Sequence, residues 1–95
     1  MGQRLIERRL RKTSARLRSL RDELTVVDDQ LAQLADEAAD SGIRALVSET
    51  PGAGVEHRKA QAHADAMAAH RAHVLASIHD LERRQDELLD ALSST

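Results

Sequence analysis

The chain has 95 residues, a formal charge of −2, no cysteine and no Phe, Trp or Tyr. Disulfides and thiolate chemistry are therefore excluded, sequence-specific reading of single strands by base stacking is disfavoured, and the length allows one small domain cored by Leu, Ile, Val, Met and Ala. A charged fraction of 32% with a single Pro is the composition of long helices, and a core that thin points to self-association or a partner.

The first predicted helix spans about residues 3–41. Ile6, Leu10, Thr13, Leu17, Leu20, Leu24, Val27, Leu31, Leu34 and Ala38 recur at alternating spacings of four and three, which lines one seam of a helix. Gly42 reads as its C-cap, with Ile43 to Val47 able to carry one or two more helical turns. A loop or tip follows over about 42–54. Within it, Thr50-Pro51 is an N-cap followed by a proline at the first helical position, a start weakened by Gly52 and Gly54, so the second helix begins anywhere from 51 to 56.

The second predicted helix spans about 55–93, with the seam Ala60, Ala64, Met67, Arg71, Val74, Ile78, Leu81, Gln85, Leu88 and Leu92. Folding the two helices antiparallel pairs residues whose numbers add to roughly 98. Arg71 then faces Val27 beside Asp28, and Thr13 lies opposite Gln85 as a polar layer. Charge follows the same register. Residues 1–21 carry eight basic groups against the single acid Glu7, and they meet Asp80, Glu82, Asp86, Glu87 and Asp90. The expected fold is all-α, an antiparallel, coiled-coil-like two-helix hairpin over 1–95 that assembles into a four-helix bundle or docks on a partner.

Three surfaces remain as candidate sites. Ile43, Leu46, Val47, Pro51 and Val55 form an apolar tip ringed by Asp36, Glu37, Asp40 and Glu49, the last counted with the docking tip, a pattern suited to docking on a protein unless the apolar groups plug the hairpin's end. Arg4, Arg8, Arg11, Lys12 and Arg18 form a basic stripe on the outer side of the first helix, able to track phosphates or to stand solvated. Ala68, Ala72, Leu75, Ala76 and Leu89 are apolar beyond the seam, surplus to a two-helix contact and fitted to an oligomer surface.

Chemistry at a site is poorly supported. His70 and His73 share a helix face near Asp28 and Asp29 in the expected register, a pair able to bind a divalent metal, but surface histidines beside an acidic helix are the favoured account, and no metal or other cofactor is expected. Gly52-Ala53-Gly54 has no following Gly-Lys-Ser/Thr and no preceding strand, so it is a turn and not a phosphate loop. A two-helix hairpin offers no cleft that excludes water, so no enzyme activity and no small-molecule substrate are expected.

No apolar run reaches the roughly 18 residues of a membrane span and the N-terminus has no apolar signal core, which makes cytoplasm the expected location and a membrane partner disfavoured. Twelve Arg against two Lys, with abundant Ala, is a bacterial compositional habit. The functional expectation is a non-enzymatic protein–protein interaction module, an adaptor or regulatory factor that binds a protein partner, itself, or both. The alternative is a nucleic-acid-associated factor of the ribosome, transcription machinery or DNA that uses the arginine stripe.

Overall fold

A computed structural model describes residues 2–94. Two helices, α1 (Gln3–Ser48) and α2 (Pro51–Ser93), are joined by Glu49 and Thr50, and the described residues contain no strand. The helices pack against each other as the hairpin that the heptads predict. Contacts divide the chain into two units: residues up to Leu24 together with those from His73 onward, and Thr25–Ala72.

In the first unit, Leu17, Leu20, Val74 and Ile78 form a buried cluster with Leu24 and Leu81 packed against it. Ile6, Thr13 and Leu88 are also buried. Arg21 reaches Glu82 across the helix pair at 3.5 Å. The polar layer differs in detail from the sequence expectation. Gln85 Nε2 donates to Ser14 Oγ at 3.0 Å, leaving Thr13 as the buried seam residue. A Gln side chain has two donors and an acceptor to satisfy, and the half-buried hydroxyl at the seam's edge meets that need with less desolvation than the buried Thr13 would.

The second unit is cored by smaller side chains. Val27, Ala38, Ser41 and Ala64 are buried, with Leu31, Leu34, Ala60 and Met67 half-buried beside them. Arg71, the charge that interrupts the α2 seam, donates from Nε to Asp28 Oδ1 at 2.5 Å. Partnering a half-exposed arginine in this way removes most of the penalty of a charge at a seam position. Among the described residues, no buried side-chain nitrogen or oxygen lacks a hydrogen-bond partner.

The expected loop over 42–54 is not observed. α1 continues to Ser48 and α2 begins at Pro51. The seam runs on through Ser41 and Ala45 on α1 and through Ala53 and His57 on α2, all buried or half-buried. Ser41 Oγ lies 2.9 Å from the Ala38 carbonyl oxygen and 3.2 Å from His57 Nδ1. The one hydroxyl proton goes to the carbonyl, so the ring donates from Nδ1.

Gly42 serves this contact. A Cβ placed there would stand 3.1 Å from His57 Cε1, so the glycine leaves room for the imidazole and does not cap a helix. Gly42→Ala is expected to stabilise by about 1 kcal/mol in a His57→Ala background, where only helix propensity changes, and by clearly less in the native chain, where the ring must shift. Thermal unfolding of the single and double variants measures the difference; equal gains would show that the ring contact constrains nothing.

Candidate functional site

The turn sets the geometry of the tip. Glu49 has φ of 53°, the left-handed conformation that commonly ends a helix, here adopted by a residue other than glycine. Thr50 caps α2: its Oγ1 accepts from the Ala53 amide at 3.4 Å, and Ser48 Oγ lies 3.4 Å from the same oxygen. Two residues therefore reverse the chain, and the last turn of α1 and the first turn of α2 have no further element in their own unit to pack against.

Exposure at the tip follows from that arrangement. Leu46 is 81% exposed, Val47 79%, Ile43 61% and Val55 40%, and Pro51 is exposed too. These side chains do not plug the hairpin's end, because the ring of His57 and the small residues Ser41, Gly42, Ala45 and Ala53 already fill it. Ile43, Val47 and Ala53 line an open groove of about 570 Å³ with Arg44 and Glu56 at its rim. Leu46 is not among its lining residues and stands out from the helix. Asp36, Glu37, Asp40 and Glu49 are all exposed, so the apolar patch lies in an acidic surround.

The basic stripe is likewise in place. Arg4, Arg8, Arg11, Lys12 and Arg18 are exposed, and none of them forms an ion pair among the described residues. The proposed oligomer surface is spread over both units. Ala68 and Ala72 are exposed in the second; Leu75 is half-buried and Ala76 and Leu89 exposed in the first. Of these five, Leu89 borders a groove together with Leu10, and that groove also includes Arg11 and Arg18. The pairing of a leucine on α2 with the basic stripe on α1 was missed in the sequence. Heptad positions counted on both helices at once would have found it.

Asp28 is engaged by Arg71, and among the described residues no three His, Cys, Asp or Glu side chains are grouped to hold an ion. Gly52, Ala53 and Gly54 are helical, with the Ala53 amide taken by Thr50. No helix among the described residues is long and apolar enough to cross a membrane. The chain matches no family model, no curated protein and no solved structure.

Because the tip depends on the left-handed Glu49, Glu49→Gly is expected to be neutral or slightly stabilising. Glu49→Val, β-branched at positive φ, is expected to cost about 1–2 kcal/mol. Chemical denaturation of the two variants tests this. Equal stabilities would mean that the turn adopts another conformation in solution.

Proposed function

We propose that the protein is a non-enzymatic interaction module that docks on a protein partner through the hairpin tip. The observation that carries this reading is the exposure of Ile43, Leu46, Val47 and Val55 together at one turn. Hydration of large aliphatic groups is unfavourable at about 25 cal/mol per Å² of apolar surface. A chain this short of apolar side chains gains nothing for its own core by placing four of them outside it.

The surround indicates the partner's chemistry. Residues 25–72 carry eight acids against four basic groups, so the fitting surface is an apolar cleft with a basic rim. The protruding Leu46 and Val47 enter the cleft, and the acids contribute orientation and association rate.

Leu46→Asp with Val47→Asp is expected to abolish co-purification of the partner from native lysate while leaving helicity unchanged, since both side chains are largely exposed already. Retention of the same partners by the double variant, scored by mass spectrometry against the native chain, removes the tip from consideration.

A second reading rests on a separate observation: five exposed cations on α1 without an acidic partner among the described residues. They support phosphate contacts of a nucleic-acid-associated factor. That reading predicts salt-sensitive binding to duplex or structured nucleic acid, lost when Arg4, Arg11 and Arg18 are replaced by Glu. Equal binding by the triple variant excludes it.

A further inference from the structure

The first unit presents a face on which the two helices carry opposite charge. Arg4, Arg11 and Arg18 recur every seven residues on α1, just outside the seam and on the side of Leu10 and Ser14. Asp86 holds the equivalent heptad position on α2, beside Leu89. All four charged residues are exposed, and none forms an ion pair among the described residues. The imbalance extends along the helices: α1 up to Leu24 has eight basic groups against three acids, and α2 from His73 has five acids against two basic groups.

Beside the arginine row lies a groove of about 380 Å³ bordered by Leu10 and by Leu89, which is 47% exposed. Its polar members, Ser14 and Gln85, are hydrogen-bonded to each other. Covering the groove therefore leaves the hydroxyl oxygen and one amide hydrogen satisfied from within the chain.

We infer that this face is the contact between two copies of the chain. A polyanion lying along it would meet Arg11 and Arg18 on one helix but the unpaired Asp86 on the other. A second copy, related by a two-fold axis parallel to the helices, lays its α2 over the first copy's α1 at the same level. Arg11 then faces Asp86 of the partner subunit, Leu10 faces the partner's Leu89, and symmetry repeats both contacts. The opposite choice, an axis across the helices, sets arginine against arginine. Charge complementarity thus selects both the occupant and its orientation, and the first unit becomes a four-helix bundle. The inference does not depend on the tip reading, which concerns the other unit.

Sedimentation equilibrium of the full chain over a wide concentration range, with circular dichroism as a control for folding, tests it. The native chain is expected to dimerise. Arg11→Glu and Asp86→Arg are each expected to weaken the dimer about tenfold, because each reversal enters a symmetric contact twice. The neutral Arg11→Gln and Asp86→Asn give a smaller loss in the same direction and serve if a reversal disturbs helicity. Mixing the Arg11→Glu chain with the Asp86→Arg chain in equal amounts restores one native and one inverted pair, so the mixture is expected to return to within about twofold of the native affinity. Three outcomes overturn the inference: a native chain that stays monomeric, whether or not it binds duplex nucleic acid; a dimer indifferent to both reversals; and a mixture no tighter than either variant alone.

Discussion

Everything in this protein depends on burying a single seam of aliphatic side chains between two helices. With no aromatic residue available, burial is confined to positions recurring every three or four residues. Ile6, Leu17, Leu20 and Val27 on α1 and Val74, Ile78 and Leu88 on α2 hold most of it. Any polar group on that line must find a partner or be desolvated at a loss of about 1–3 kcal/mol. Three of these intrusions are paired across the helices: Arg71 with Asp28, Gln85 with Ser14, and Ser41 with His57. These three pairs also specify register, because sliding one helix past the other would separate them together.

The seam is unevenly filled. The first unit buries branched aliphatic residues; the second relies on Ala38, Ala64 and Ser41 around Val27. Fewer buried methylene groups make the second unit the lower-stability end, since each contributes about 0.8 kcal/mol. The same unit holds the exposed tip. Under the proposed docking at the tip, covering this weakly cored end would stabilise it and couple binding to local ordering.

Two different kinds of surface are thus left over once the seam is made. At the tip, large apolar groups lie in an acidic surround, and the contact that suits them is a hydrophobic anchor with charge at its edge. On the first unit, both signs of charge flank a small groove bordered by two leucines, and the contact that suits it is self-complementary. The two proposals use different surfaces, so one contact does not exclude the other.

Much of this was legible in the residues. The heptad spacing marks both seams to the residue, and the pairs Ser41–His57, Asp28–Arg71 and Ser14–Gln85 fall within one residue of the expected register. Periodicity is a property of the helix alone, so a sequence carries it directly. The turn was not legible in this way. Gly42 reads as a stop signal because glycine at a helix end and glycine making room for a neighbour look identical in one dimension. Only the approach of the His57 ring, 15 residues further along the chain, decides which it is. The same holds for the fate of Ile43, Leu46 and Val47. Local sequence made them helical and apolar, while the packing of small side chains and one imidazole across the hairpin's end left them outside the core.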